Sequence, residues 1–268
     1  MTSDKPPSVS DVADWWTTGI TRIEPGVIEH RGHPVQSLIG STTFPEMIWL
    51  MLRGSLPSRG QAVLLEAALV ASTDHGPQAP SIAIARMAAT CGVGLNSAVA
   101  SGVNVLGDVH GGAGEQCMAV FAACIATHER DDVDWAEAGR RTVTDHRVRH
   151  PYLPGFGHRF HPRDPRRDPL LQLVEKARDE GTIRGEYLQA AVAVEAALQE
   201  PGRRSIPMNI DGATAVIYGE LGFEPALARG LFLLSRSVGI LAHAWEESQS
   251  GQRIKGPIPP SILPTYNG

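Results

Sequence analysis

Long apolar segments with helical periodicity constrain the fold of this chain more than any other feature. Residues 61–72 are apolar on nearly every side, as expected for a buried helix. Residues 81–91 and 95–106 are rich in Ala, Ser and Gly, so helices there can pack closely against their neighbours. Alternation of period two occurs only around residues 23–29, and an all-α fold is therefore predicted. Longer helices are predicted over residues 112–128, 168–200 and 224–250.

Composition excludes several classes of protein. The chain has 268 residues, enough for one large domain or two smaller ones, and its net charge of -5 argues against a general nucleic-acid-binding protein. Its three cysteines have no Cys-X-X-Cys spacing, and Cys117 and Cys124, seven apart in an Ala-rich run, fit buried helix positions better than metal ligation. Residues 1–7 contain no apolar signal-peptide core, and no apolar run reaches membrane-spanning length. We expect a soluble cytoplasmic protein with no membrane partner and no bound metal.

Residues 150–170 form the segment that says most about function. Three His, five Pro and four Arg crowd a stretch that is too rich in Pro and Gly to form one regular element. Imidazoles beside fixed positive charge provide proton-transfer groups and suit an anionic substrate. The alternative interpretation is a solvated basic loop with no ligand.

Three junctions between predicted helices each carry a His or an Asp. His75 and His110 each follow a predicted helix, and Asp211 opens another. Backbone N–H groups are unpaired at such junctions, and side chains there can face a cleft. The alternatives are an ordinary helix N-cap for Asp211 and hydrogen-bonded turn histidines for the other two.

Arg236 lies in a helix whose other residues are almost all apolar. A guanidinium is costly to bury in such surroundings unless an anion meets it. The sequence therefore predicts either a carboxylate-bearing ligand held by two hydrogen bonds or an internal salt bridge with an Asp or Glu.

Five short motifs follow one another along the chain. They are Asp-His-Gly-Pro at 74–77, Gly-Asp-Val-His-Gly-Gly-Ala at 107–113, Gly-Phe-Gly-His-Arg at 155–159 with Asp-Pro-Arg at 164–166, Asn-Ile-Asp-Gly at 209–212, and Ser-Arg-Ser-Val-Gly at 235–239. From about residue 25 to 257 the chain resembles the citrate synthase superfamily. It lacks the long helical insert that full-length synthases carry before the Asp-His motif. With its Asp-His-Gly-Pro and Asn-Ile-Asp-Gly motifs, it is most similar to the citryl-CoA lyases and the lyase module of ATP-citrate lyase.

The resemblance implies a role for each motif residue. His158 would accept the proton of the citryl hydroxyl, His110 would stabilise the enolate of acetyl-CoA, and Asp211 would protonate the enolate carbon. Two further groups are implied by the same alignment: His75, Arg166 and Arg236 for substrate carboxylates, and Gly155, Phe156, Gly157, Arg159 and Arg163 for coenzyme A. The thioester is then a substrate, and no tightly bound cofactor is expected.

The chain departs from the family near its C-terminus. Family members commonly place an Arg just before a Pro there, where it reaches a substrate carboxylate across the dimer. This chain has Gly256 before Pro257. Lys255 or Arg253 could substitute for that Arg, although an ammonium offers a point charge rather than a planar fork.

The resemblance also implies an architecture. It predicts a citrate-synthase-like, all-α fold with a large helical domain from residues 1–111 and 223–268, a small helical domain from residues 112–222, and the active site in the cleft between them. A homodimer or a higher homo-oligomer is expected. Three functional classes stay open: a citryl-CoA lyase, a citrate or 2-methylcitrate synthase, and a non-catalytic relative that binds CoA or a carboxylate.

Overall fold

The computed structural model describes residues 9–199, 205–256 and 258–268. Over these ranges the chain forms twelve α-helices and three short strands. In chain order they are α1 (Val9–Trp15), β1 (Thr21–Glu24), β2 (Val27–His30), β3 (His33–Pro34), α2 (Val35–Leu38), α3 (Phe44–Arg53), α4 (Arg59–Ser72), α5 (Pro80–Ala89), α6 (Leu95–Asn104), α7 (Ala113–Asp131), α8 (Trp135–Arg149), α9 (Arg167–Asp179), α10 (Glu186–Ala197), α11 (Ile210–Glu220) and α12 (Pro225–Gln249).

The chain divides into two compact units, Met1–Val63 and Leu64–Gly268. In the first unit, β1 pairs antiparallel with β2, and β2 pairs antiparallel with β3. The strand signal at residues 23–29 corresponds to the β1–β2 hairpin. The division predicted from the resemblance, with a small domain at residues 112–222, stays a prediction.

In the second unit, α5, α6 and α12 pack together around small apolar side chains. Ile82 and Ala85 of α5 meet Ala98 of α6 and Ile240 and Ala244 of α12, and all five are buried. Alanines allow the helix axes to approach closely, as the Ala-rich sequence predicted. This packing places the loops that follow α4 and α6 beside α12.

The most deeply buried helix is α11, whose residues are buried along almost its whole length. It packs against α7, α9, α10 and α12. Because its sides are covered, the polar side chains of α11 that are only half-buried lie at its two ends, Asp211 in the first turn and Glu220 in the last. The N-terminus of α11 is therefore held rigidly in the unit.

The helices were predicted with mixed success. Residues 61–72, 81–91, 95–106, 112–128 and 224–250 correspond to α4, α5, α6, α7 and α12. The single helix predicted over residues 168–200 is wrong over its described part, because the chain breaks between α9 and α10, where Gly181 and Gly185 have φ of 72° and 87°. Glu200, its predicted end, lies outside the described residues. Helix α8 was not predicted, because its mostly polar sequence gives little apolar signal.

Helix α12 has 25 residues and is long and apolar enough, by length and composition alone, to cross a membrane. The sequence-based expectation that no run reaches this length was therefore wrong. Core helices pass the same criterion, and α12 packs along α5, α6 and α7.

Candidate active site

A cavity of about 420 Å³ opens in the second unit where the loops after α4 and α6 meet the N-terminus of α11. The structure brings most of the sequence-predicted side chains together in its wall. These are His75, His110, His158, Arg159, Arg166, Asp211 and Arg236, and the backbone of Gly157 joins them.

The backbone fixes the tautomer of His110. Its Nε2 lies 3.2 Å from the backbone nitrogen of Ser81 and 3.0 Å from the Ser81 hydroxyl, in the first turn of α5. Since a backbone N–H can only donate, Nε2 accepts and the ring proton lies on Nδ1. Burial lowers the pKa of His110, and Arg236 and Arg159 lower it further. His110 is therefore a neutral imidazole whose second nitrogen is a hydrogen-bond donor.

Backbone hydrogen bonds give His158 the opposite tautomer to that of His110. Its Nδ1 accepts hydrogen bonds from the backbone nitrogens of Phe160 and His161, both at 3.1 Å. Burial lowers the pKa of His158, so the neutral ring carries its proton on Nε2. In this arrangement His158 can donate to a substrate oxygen, but it can accept a proton only after both backbone hydrogen bonds break. The proton-accepting role that the resemblance implies for His158 stays a prediction.

His75 meets His158 edge to face, with ring centroids 5.3 Å apart. Neither of its ring nitrogens forms a hydrogen bond with any residue that the structure describes. Burial lowers the pKa of His75, and the positive charges of Arg166 and Arg236 lower it further. His75 is therefore a neutral imidazole that is free to accept or donate through either nitrogen.

Asp211 occupies the first turn of α11 but does not cap it. The cap is Asn209, whose Oδ1 accepts from the backbone nitrogens of Asp211 at 2.9 Å and Gly212 at 3.3 Å, so the N-cap alternative for Asp211 is wrong. The carboxylate makes no hydrogen bond or ion pair within the described part of the chain. Burial raises the pKa of Asp211, and the charges of Arg166 and Arg236 oppose that rise.

Asp164 connects a cavity cation to the start of α11. Its carboxylate accepts from Nε of Arg166 at 2.9 Å, from Nη2 of Arg166 at 2.8 Å, and from the backbone nitrogen of Ile210 at 3.0 Å. Although burial opposes it, these hydrogen bonds lower the pKa of Asp164 to about 2. No role was predicted for Asp164 from the sequence. The Asp-Pro-Arg motif that contains it was the sequence signal that could have identified it.

Arg236 is 5% exposed, and its Nε donates to the carbonyl of Ser72 at 3.1 Å. Its guanidinium lies 4.9 Å from the centroid of the Phe232 ring. It forms no ion pair with a described residue, so the alternative of an internal salt bridge is wrong. A buried guanidinium without a carboxylate partner, in the wall of a cavity, is suited to an anionic ligand.

The residues predicted to bind coenzyme A are not all in the cavity wall. Gly155 has φ of 81°, and a Cβ there would collide with Sγ of Cys117, so it serves close packing against α7. Phe156 packs against Phe121, with ring centroids 6.1 Å apart, behind the cavity. Gly157 lines the cavity. A role for Gly155 and Phe156 in CoA binding stays a prediction.

The two arginines predicted to contact CoA differ. Arg159 lies exposed in the cavity wall and forms no hydrogen bond or ion pair with a described residue. Arg163 pairs with Asp168 through Nη2 at 2.6 Å. Of the two guanidiniums, that of Arg159 is therefore the one without a carboxylate partner among the described residues.

The basic side chains near Gly256 do not offer a ready substitute for the missing Arg. Nζ of Lys255 lies 3.0 Å from both carboxylate oxygens of the buried Glu247. Arg253 is exposed, and Pro257 lies outside the described residues. Lys255 is thus committed to Glu247.

Among the described residues, no group of three or more His, Cys, Asp or Glu is arranged to hold a metal ion.

Comparison with known proteins identifies the family. Residues 59–257 match the family model described as citrate synthase, C-terminal domain. The citrate synthase of Haloferax volcanii is 28% identical over 207 residues, which cover 76% of this chain and 52% of that protein. The chain thus spans about half the length of the curated citrate synthases it matches.

Solved structures agree on the fold. A citryl-CoA lyase from Hydrogenobacter thermophilus superposes with a TM-score of 0.81 at 31% identity, covering 94% of each chain. An ATP citrate lyase from Methanothrix soehngenii, in complex with citrate and coenzyme A, gives a TM-score of 0.78 at 19% identity and is covered over 46% of its length. The all-α, citrate-synthase-like fold is confirmed, and the chain is an enzyme of the citrate synthase family.

Proposed function

We propose that this enzyme is a citryl-CoA lyase, which cleaves citryl-CoA, or a related 3-hydroxyacyl-CoA, to acetyl-CoA and oxaloacetate. The observation that carries the proposal is that one cavity holds an Nδ1–H donor on His110, the carboxyl group of Asp211 with a raised pKa, and the buried, unpaired guanidinium of Arg236. The Hydrogenobacter thermophilus lyase supports it, because the two chains cover 94% of each other.

His110 and Asp211 serve the acetyl half of the substrate. When the carbon–carbon bond breaks, negative charge moves onto the thioester oxygen, and Nδ1–H of neutral His110 donates to that oxygen. Asp211 then gives a proton to the enolate carbon. Its raised pKa favours the protonated form that this step needs.

Arg236 and Arg166 serve the oxaloacetate half. Arg236 forms no ion pair with a described carboxylate, whereas Arg166 holds Asp164 through Nε and Nη2 and donates from Nη1 to the carbonyl of Ala71 at 3.5 Å. Both guanidiniums suit substrate carboxylates. His158, in the same cavity, takes up the proton of the hydroxyl group as that oxygen becomes a carbonyl.

Coenzyme A enters as part of the substrate, with no tightly bound cofactor. The exposed guanidinium of Arg159 at the cavity is suited to a CoA phosphate.

We also propose a homodimer in the cytoplasm. Light scattering on the purified protein tests the dimer, and a monomer at micromolar concentration would contradict it.

A citrate or 2-methylcitrate synthase is the second candidate. The curated relatives named citrate synthase favour it, and the same enolate chemistry runs in that direction when the thioester is afterwards hydrolysed. A non-catalytic relative is disfavoured, because His110, His158 and Asp211 all line one cavity.

Product analysis distinguishes the candidates. The purified protein is mixed with citryl-CoA in one reaction and with oxaloacetate and acetyl-CoA in another, and products are separated by chromatography. We expect acetyl-CoA and oxaloacetate from citryl-CoA, without release of free CoA thiol. Net formation of citrate and free CoA in the second reaction would establish the synthase instead.

A further inference from the structure

A line of charged and polar side chains runs from the C-terminal end of α12 to the loop that follows α4. Glu247 of α12 is 1% exposed, and its carboxylate lies 3.0 Å from Nζ of Lys255 and 2.5 Å from Nη2 of Arg86 in α5. The other terminal nitrogen of Arg86, Nη1, lies 3.0 Å from Nδ1 of His243 and 2.6 Å from the carboxylate of Glu246. Three side chains of α12 therefore fix the position of this guanidinium.

Arg86 determines the tautomer of His243. Because a guanidinium can only donate, Nδ1 of His243 accepts, and the ring proton lies on Nε2. Nε2 lies 3.3 Å from Oδ2 of Asp74, so the ring donates to that carboxylate. In the other tautomer, two donors would face each other at Nδ1 and two acceptors at Nε2. The hydrogen bond to Asp74 therefore depends on the contact with Arg86.

Asp74 connects His243 to the backbone of the loop. The same Oδ2 also accepts from the backbone nitrogen of Gly76 at 3.1 Å. Although burial opposes it, the hydrogen bonds that this carboxylate accepts from two backbone N–H groups and from His243 lower the pKa of Asp74. His75 lies between the two residues that close this turn, and it lines the cavity. The direction of the Asp74 carboxylate thus bears on where His75 lies.

We propose that His243, held in its tautomer by Arg86, is a positioning residue that fixes Asp74 and thereby holds His75 at the substrate. Neither Arg86 nor His243 lines the cavity. Both side chains are 19% exposed, so water competes little for the hydrogen bonds between them. The inference rests on the proposed lyase function, with His75 binding a substrate carboxylate.

Two variants of His243 separate positioning from packing. His243→Leu fills similar space and removes both hydrogen bonds. We expect KM for citryl-CoA to rise by about tenfold, the scale of one hydrogen bond to a charged group. The value of kcat should stay nearly unchanged, because the lost contact serves the ground state and the transition state alike.

His243→Gln is the conservative variant. Its amide keeps an acceptor for Arg86 and a donor for Asp74, so KM should lie close to the wild-type value. His150→Leu, at an exposed histidine outside the cavity, is the matched control for the leucine change and should leave KM unchanged.

A double variant tests whether His243 acts through Asp74. In an Asp74→Ala background the carboxylate that His243 contacts is already absent, so His243→Leu should add little to the rise in KM. Effects of the two changes that multiply in full would show that His243 acts by another route, and would overturn the inference.

Amide hydrogen exchange makes the test independent of turnover. Exchange over residues 73–78, followed by mass spectrometry of the full chain, should be about tenfold faster in His243→Leu and close to wild type in His243→Gln. Thermal melts establish that each variant folds. An unchanged KM or an unchanged exchange rate in His243→Leu overturns the inference, and so does equal impairment of the two variants. Failure of the wild-type enzyme to cleave citryl-CoA overturns the proposed function instead, and hydrogen exchange then decides the inference alone.

Discussion

The three cavity imidazoles belong to one residue type, yet backbone contacts give them different chemistry. A backbone N–H from α5 leaves His110 with its proton on Nδ1, and two backbone N–H groups leave His158 with its proton on Nε2. His75 has neither constraint. Which nitrogen faces the substrate thus depends on where a neighbouring backbone donor lies.

Asp211→Asn tests the proton donor to the enolate. The amide fills the same space and cannot transfer a proton, so we expect kcat to fall by at least ~100-fold. Because Asn209, not Asp211, caps α11, the melting temperature should stay close to the wild-type value. Oxaloacetate binding, measured by calorimetry, should be largely retained. A variant with wild-type rates would remove the proposed role.

Arg236→Met tests the carboxylate site. A Met side chain fills similar space among apolar neighbours and removes a buried charge that has no described ion partner. Affinity for oxaloacetate, measured by titration calorimetry, should fall by about 1.5–3 kcal/mol, the value of hydrogen bonds to charged groups. An unchanged affinity together with lower stability would show that Arg236 acts in packing alone.

Sequence reasoning found the residues of the site but not their protonation. Motif order located His75, His110, His158 and Asp211, and all four line the cavity. The tautomers could not be predicted, because the donor to His110 is Ser81, 29 residues away in sequence. Burial of Asp164 likewise depends on tertiary packing.

At the scale of elements, one face of α12 positions the loop that carries His75. Arg236 binds the carbonyl of Ser72, and His243, two turns later, lies 3.3 Å from the carboxylate of Asp74. Between them Gly239 has no side chain, and a Cβ there would collide with the carbonyl oxygen of Thr73. The close approach of loop and helix therefore requires Gly239.

Gly239→Ala should displace this loop, and with it His75. We expect a loss of about 1–3 kcal/mol in the free energy of unfolding, typical of overpacking, and a higher KM for citryl-CoA. The matched control is Gly230→Ala in the same helix, where a Cβ meets open space. That variant should be neutral or more stable by up to ~1 kcal/mol. Equal effects of the two changes in urea unfolding would contradict the contact.

Helices were predictable where one apolar pattern ran without a break. Residues 61–72 and 224–250 met that condition, and α4 and α12 lie there. The break between α9 and α10 was missed because its two glycines lie within an otherwise helical composition. Helix α8 was missed for a different reason. Its sequence is mostly polar and has no clear apolar periodicity, and the helix is stabilised by packing against α7 and α10.

At the scale of the whole molecule, Asp164 links acid stability to the site. Its pKa is about 2 in the fold, against 3.8 for the unperturbed group. A group whose pKa is lowered by folding stabilises the fold above its unfolded pKa, and that contribution is lost as the pH falls toward the folded value. Asp164 therefore contributes fully at pH above about 5.

Asp164→Asn should abolish this pH dependence. The difference in unfolding free energy between wild type and variant, measured in urea, should shrink by about 2 kcal/mol as the pH falls from 5 to 2. A difference that does not change with pH would show that Asp164 is not held ionised by Arg166 and Ile210.

The origin of the new hydrogen in acetyl-CoA tests the central claim, that Asp211 protonates an enolate formed by carbon–carbon cleavage. Citryl-CoA is cleaved in D₂O, and the acetyl-CoA released in the first turnovers is analysed by mass spectrometry. We predict one deuterium in its methyl group with the wild-type enzyme, and no acetyl-CoA above background with Asp211→Asn. Acetyl-CoA without deuterium, or equal labelling by the variant, would contradict the account.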